Sequence, residues 1–123
     1  EAARILTLKG AEIIFCPSAW RIQDKDVWDL NIPQRALENT VFIAAVNRYG
    51  QEGDDLFMFG DSKVSNPRGR IIAEASSTNE EILYCDLEIE DIITYRASSP
   101  YLRDMRPEQY CLNIDQILNM NKF

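Results

Sequence analysis

The stretch VFIAAVN, residues 41–47, is apolar until its last residue. It is short, continuous and rich in β-branched and aromatic side chains, the pattern of a strand buried on both faces. AEIIFCP, residues 11–17, repeats that pattern and is ended by Pro17. Between them, DVWDLNIPQRALENTVF contains a helix. An interior proline would cost a helix about 3 kcal/mol, so Pro33 is expected in the first turn, with Asn31 as the cap and an end at Asn39 or Thr40. Ahead of the first strand, Ala2, Ile5, Leu6 and Leu8 have helical spacing over residues 2–9, and Gly10 supplies a C-terminal stop. Helices usually start on Ser, Thr, Asp or Asn, and none stands before Glu1. The expectation is that sequence once preceded Glu1.

Composition narrows the function. The chain has 123 residues, 46% hydrophobic and 27% charged, which favours one globular domain or less over disorder. A net charge of −7 argues against a nucleic-acid or anionic-membrane partner. No apolar run is long enough to span a bilayer, and no leader pattern is present. Three widely spaced cysteines do not form a disulfide framework and suggest a cytoplasmic setting. There is no histidine, which removes Ser-His-Asp and Cys-His sites and most zinc sites. No Gly-rich phosphate loop occurs.

Beyond residue 47, RYGQEGDD has the composition of a polar loop. FMFGDSKVS, RIIAEAS and EILYCDLEI are expected strands, the last alternating through Leu83, Cys85 and Leu87. Asn66, Pro67, Arg68 and Gly69 form a four-residue hairpin turn. A short helix from Asp91 to about Tyr95 and an irregular segment complete the described pattern. The class is α/β. Two substantial helices are too few to cover both faces of the apolar strands, which points to an incomplete layer and half a domain.

EAARILTLKGAEIIFCPSAW (1–20), RALENTVFIAAVNRYG (35–50), FGDSKVSNPRG (59–69), DLE (86–88) and YLRDMRPEQY (101–110) together resemble the nitrilase, or carbon–nitrogen hydrolase, superfamily. The resemblance implies that residues 1–110 are the C-terminal half of a carbon–nitrogen hydrolase domain and 111–123 a tail. It implies an α-β-β-α sandwich, incomplete in this chain, whose subunits pair through their helices into homodimers or higher homo-oligomers. It implies a Cys nucleophile, a Glu base and a Lys, with the Cys opening a C-Y-D-x-R-F-P-E pattern whose final Glu corresponds to Glu1. All three catalytic residues would then lie upstream, in a missing N-terminal half, and none in this chain. The thiolate attacks an amide, carbamoyl or nitrile carbon of a small-molecule substrate, the Lys and a backbone N–H stabilise the charge, ammonia or an amine leaves, and water hydrolyses the thioester. No metal or organic cofactor is implied. Met105 and Gln109 depart from the Arg and Leu usual in the family.

Individual residues have two readings each. Ser18, Ala19 and Trp20 lie beyond a strand's carboxyl end and resemble the family's substrate wall; the alternative is ordinary loop packing. Asn47 ends the next strand, where it serves either the substrate or a structural network. Arg35, Glu38 and Asn39 support the site or form a helix-anchoring network. Cys16 and Cys85 are expected as buried structural residues, and Cys111 as a bystander. Lys9, Lys25, Lys63 and Lys122 are expected as solvated surface charges. The competing class of function is a non-catalytic assembly or interaction module that retains the fold. A start codon at Glu1 would favour that module, and an upstream Cys, Glu and Lys the enzyme.

Overall fold

A computed structural model describes residues 1–111. The expected tail past Cys111, with Lys122, lies outside the described residues, as does the side chain of Cys111. The elements run α1 (Ala2–Leu8), β1 (Ile13–Ser18), a 3-10 turn (Ile22–Asp24), α2 (Lys25–Asn39), β2 (Phe42–Asn47), β3 (Tyr49–Glu52), β4 (Leu56–Phe59), β5 (Lys63–Ser65), β6 (Ile71–Glu74), α3 (Asp91–Ser98) and α4 (Pro107–Cys111). The architecture is α/β, with one four-stranded mixed sheet in the order β1-β2-β5-β6 and a separate β3-β4 hairpin.

Both long connections end in the same closure. At the end of α1, Gly10 donates to the Thr7 carbonyl at 2.9 Å and Ala11 to the Leu6 carbonyl at 3.0 Å. Gly10 has φ of 98°, so the helix stops on a left-handed residue as expected. At the end of α2, Thr40 donates to Leu37 and Val41 to Ala36, both at 3.2 Å. Here the left-handed residue is Thr40, at φ 51°. A β-branched residue in this region is strained, by about 1–2 kcal/mol, and full burial of Thr40 holds it there.

Helix α2 begins earlier than its sequence suggests. Its cap position is Asp24, not Asn31, and Pro33 lies in its interior. The reason is the stripe Trp28, Ile32 and Ala36, spaced one turn apart and all buried. Tertiary packing of that stripe outweighs the missing Pro33 N–H, since most helix stability in proteins comes from an apolar face rather than propensity.

The sheet forms as β1 and β2 pair in parallel, Ile14 opposite Ile43 and Cys16 opposite Ala45. Pro17 lies within β1 rather than ending it, which an edge strand tolerates. Strands β5 and β6 extend the sheet antiparallel. Ile14, Ile43, Ala45, Val41 and Phe59 pack with Trp28, Ile32 and Ala36 into the core between α2 and the sheet. The segment expected as a polar loop at 48–55 instead contributes β3, paired with β4. The single strand expected over 57–65 is broken, because Gly60 and Asp61 both take positive φ, 69° and 58°, and turn the chain from the hairpin into the sheet. The 66–69 turn is as expected: Gly69 donates to the Asn66 carbonyl at 2.8 Å, and the Asn66 side chain accepts from Arg68 and Arg70.

Residues 81–89 alternate in burial but make no ladder. Leu83, Cys85, Leu87 and Ile89 are half-buried, while Ile82 is 76% and Tyr84 83% exposed. A strand is a pairing, and no described segment pairs with this one. It stands over the second face of the sheet, leaving a cleft of about 480 Å³ lined by Phe15, Ala44, Val46 and Val64 among others. That face is open toward the carboxyl ends of the strands, with Phe15 71% and Val46 55% exposed. One face of β1 and β2 is thus covered by α2 and the other left open, the incomplete layer expected from two helices. Helix α3 runs past Tyr95 to Ser98, and α4 occupies part of the segment expected as irregular.

Exposed apolar faces and unpaired strands template association. Residues 1–123 produced alone should self-associate at micromolar concentration in sedimentation velocity. A monomer that melts cooperatively would contradict this.

Candidate functional site

The carboxyl ends of β1 and β2 lie side by side, Ser18 opposite Asn47. Asn47 is buried, and its amide is used from both ends. Its Oδ1 accepts from the Trp20 backbone N–H at 2.7 Å, and its Nδ2 donates to the Trp20 carbonyl at 3.3 Å. The loop after β1 is thus fastened to the end of β2. Ser62 supports Asn47 in turn: its Oγ accepts from the Asn47 N–H at 3.0 Å and donates to the Asn47 carbonyl at 3.3 Å. The Trp20 ring is half-buried and stands 5.9 Å from the Trp28 ring, which meets Phe59 edge-on at 6.2 Å. Ala19 is exposed. Ser18, Ala19, Trp20 and Asn47 therefore meet at one end of the sheet.

Below this loop is a group of charges that composition alone does not reveal. Lys63 is 3% exposed, so the expectation of a solvated surface lysine is wrong for this residue. Its Nζ donates to Asp29 Oδ1 at 2.6 Å and Glu74 Oε1 at 2.7 Å, and lies 3.2 Å from Asp61 Oδ2. Lys25 Nζ reaches Asp29 Oδ2 at 2.9 Å and Asp61 Oδ2 at 2.5 Å. The carboxylates of Asp29, Asp61 and Glu74 have the spacing of cation ligands, and the cation among them is the Lys63 ammonium. Burial pulls Lys63 down, but the bonds from Asp29, Glu74 and Asp61 outweigh it and its pKa ends above the ordinary lysine value. Burial likewise pulls Lys25 down, and Asp61 and Asp29 raise it further than that. Burial raises Asp29, while Lys63 and Lys25 bring it below the ordinary carboxylate value. A lysine held this firmly protonated is neither base nor nucleophile. Sequence offered two faint signals: the Lys25–Asp29 i,i+4 spacing, and a lysine followed by Val64 in a strand. The bonds to Asp61 and Glu74 are long-range and invisible in a local pattern.

Arg35, Glu38 and Asn39 lie at the other end of β2, on the last turns of α2. Arg35 Nη1 donates to Glu38 Oε1 at 2.6 Å, and Asn39 Nδ2 donates to the Arg35 carbonyl at 2.8 Å. Asn39 is buried, whereas the Arg35–Glu38 pair is partly exposed. This set and the Trp20–Asn47 set are not brought together. Cys16 and Cys85 are half-buried rather than buried. The Cys85 thiol is pushed up by burial and then by Asp86, which makes it a poor nucleophile.

This fold has known counterparts. A family model described as carbon-nitrogen hydrolase matches residues 1–97, and the chain belongs to that family. It is 32% identical to an N-carbamoylputrescine amidase of Arabidopsis thaliana, over 89% of this chain and 42% of that protein. Its structure is similar to a carbon-nitrogen hydrolase from Helicobacter pylori, with a TM-score of 0.83 and 34% identity over 89% of this chain and 43% of that one. A third relative is an amidase from Nesterenkonia, with a TM-score of 0.73 and 30% identity over 88% of this chain and 37% of that one. Its structure shows the acetamide moiety of fluoroacetamide joined to the active-site cysteine. The chain spans about two fifths of the length of the curated relatives it matches. No helix among the described residues is long and apolar enough to cross a membrane.

Three predictions concern the charges. Raised lysine pKa values stabilise the fold fully below the ordinary value, about 10, and that contribution is lost as pH rises through the folded values; the lowered Asp29 contributes above about 4 and is lost in acid. Unfolding free energy against pH should therefore be flat in between, and Lys63→Met should blunt the alkaline loss. The same substitution should cost about 2–3 kcal/mol, less than the 3–5 of a fully buried pair because Asp29 and Glu74 are half in water. The Arg35–Glu38 pair is a surface pair, so Glu38→Gln should cost under about 1 kcal/mol in denaturant melts.

Proposed function

We propose that residues 1–110 are the C-terminal half of a carbon–nitrogen hydrolase domain, with 111–123 as its tail. The parent enzyme hydrolyses a non-peptide amide, carbamoyl or nitrile C–N bond of a small molecule through a cysteine thioester. The observation that carries this is the one-sided sheet in a chain of this family: α2 covers one face, while Phe15 and Val46 lie open on the other. A second sheet brought by the preceding half completes the sandwich there and pairs with residues 81–89. The match to about two fifths of longer amidases supports the narrower reading that this chain is part of a longer domain.

In this proposal the cysteine, glutamate and lysine come from the preceding half, as does the developing-charge stabilisation they supply. The acetamide adduct on the cysteine of the Nesterenkonia amidase supports such a nucleophile. This chain contributes the wall beyond β1 and β2. Ser18, Ala19 and Trp20 face the acyl group, and Asn47 fixes the loop that carries them. Arg35, Glu38 and Asn39 support the site at a distance by holding the end of α2. The assembled enzyme is a cytoplasmic homo-oligomer paired through helices.

The test compares the full-length protein with residues 1–123 on a panel of amide, carbamoyl and nitrile substrates. The full-length protein should turn over one class and the short chain none. Replacing Cys16, Cys85 and Cys111 by Ser should leave full-length turnover intact. Trp20→Ala should change the ratio of small to bulky acyl substrates by about 10–200-fold, the worth of one pocket contact. An equal slowing of every substrate would make Trp20 a packing residue. Turnover by the short chain, lost with one of its cysteines, would overturn the assignment of the nucleophile.

A further inference from the structure

We propose that the interlocked charges of Lys25, Asp29, Asp61, Lys63 and Glu74 are a clamp that sets the position of the Trp20 loop, with Lys63 as its positioning residue. The observations form one connected set. Asp61 has φ of 58°, an uncommon conformation for a residue with a side chain, and such residues persist only where their surroundings over-determine them. Here both lysines hold its carboxylate, Trp28 Nε1 donates to its carbonyl at 3.0 Å, and its N–H donates to the Ser76 carbonyl at 3.2 Å. The left-handed turn at Asp61 aims Ser62 at Asn47. Asn47 then grips the Trp20 backbone from both sides.

The other end of the loop is held by the same charges. One 3-10 turn separates Trp20 from Lys25, the first residue of α2, and Lys25 and Asp29 are both members of the cluster. Lys63 is the only member that touches three carboxylates, one from each of α2, the 60–62 turn and β6. It stands directly across the sheet from Glu74. Removing it leaves the Asp61 carboxylate with Lys25 as its one ammonium partner in the cluster and cuts the ionic tie between β6 and α2. The loop is thereby anchored at Asn47 and at Lys25 to one rigid body. That this loop walls a substrate rests on the function proposed above; that the charges hold it does not.

The experiment measures hydrogen exchange of the backbone over residues 18–24 in the full-length protein, together with the acyl-size panel. Lys63→Met is compared with Ile92→Ala, which removes a buried side chain of α3, at temperatures chosen so that the two are equally far below their melting points. Lys63→Met should speed exchange over 18–24 by about tenfold or more, as local opening of an unclamped loop would, and Ile92→Ala should not. Lys63→Arg should restore part of the protection. If Lys63→Met does not fold, Glu74→Gln removes the charge from one of the three partners and should loosen the same segment to a smaller degree. Equal exchange in Lys63→Met and Ile92→Ala would overturn the clamp. Faster exchange with an unchanged substrate ranking would uphold the clamp and overturn the pocket-wall role of Trp20.

Discussion

The parallel pairing of β1 with β2 is the constraint on which the other elements depend. Parallel neighbours cannot be joined by a tight turn, so the chain must cross over, and α2 is that crossover. Having to cross, α2 must lie on one face of the sheet, and its Trp28, Ile32 and Ala36 fill the space above Ile14, Ile43 and Ala45. The same pairing brings Ser18 and Asn47 level. Chain leaving β1 and chain leaving β2 therefore emerge together, which is where α/β sheets carry their ligands. The end of the sheet at which the Trp20 loop emerges follows from backbone geometry; where the loop then settles is a matter of side chains.

Sequence revealed what depends on local pattern. The two apolar runs at 11–17 and 41–47, the stop at Gly10, the end of α2 and the 66–69 turn were all visible, because each is determined by residues near itself. Other features were not, three of them for reasons that can be named. The start of α2 was misplaced because the cost of Pro33 is local while the burial of Trp28 is not. The break at Gly60 and Asp61 was missed because the contacts that hold it, from Trp28 and Ser76, are distant in sequence. Residues 81–89 carried the alternation of a strand correctly, but a ladder needs a second segment, and one chain segment cannot report whether its partner is present. The site was legible to the same extent: the Ser18–Trp20 loop and Asn47 stood at strand ends, whereas Lys63 looked like an ordinary surface lysine until Asp29, Asp61 and Glu74 were brought around it.

The two halves of the charged population behave differently. Pairs such as Arg35–Glu38 and Arg48–Glu52 lie on the surface and join neighbours in sequence. They tune helix ends and loops without deciding the fold. The Lys63 group joins α2, the 60–62 turn and two strands, around a centre of Lys63 and Asp61 that is itself buried. In a chain with net charge −7, excess acid would be expected to repel itself. Here three carboxylates share two ammonium groups, so crowding of like charge becomes attachment between elements. Specificity accompanies that arrangement, since only one relative position of helix and sheet satisfies every partner.

The tip of the β5-β6 hairpin carries a different kind of consequence. Gly69 sits at φ 74°, and a Cβ there would meet the Pro33 carbonyl oxygen at 2.9 Å and the Leu37 Cβ at 3.0 Å. Hairpin tips are ordinarily where lineages gain and lose residues, because solvent accepts whatever length results. This tip rests on the middle of α2 instead. One residue more or fewer would slide a side chain into the helix backbone or withdraw the turn from it. The 66–69 turn is thus closed to insertion and deletion, and among descendants of this chain its length should be as fixed as that of the strands it joins.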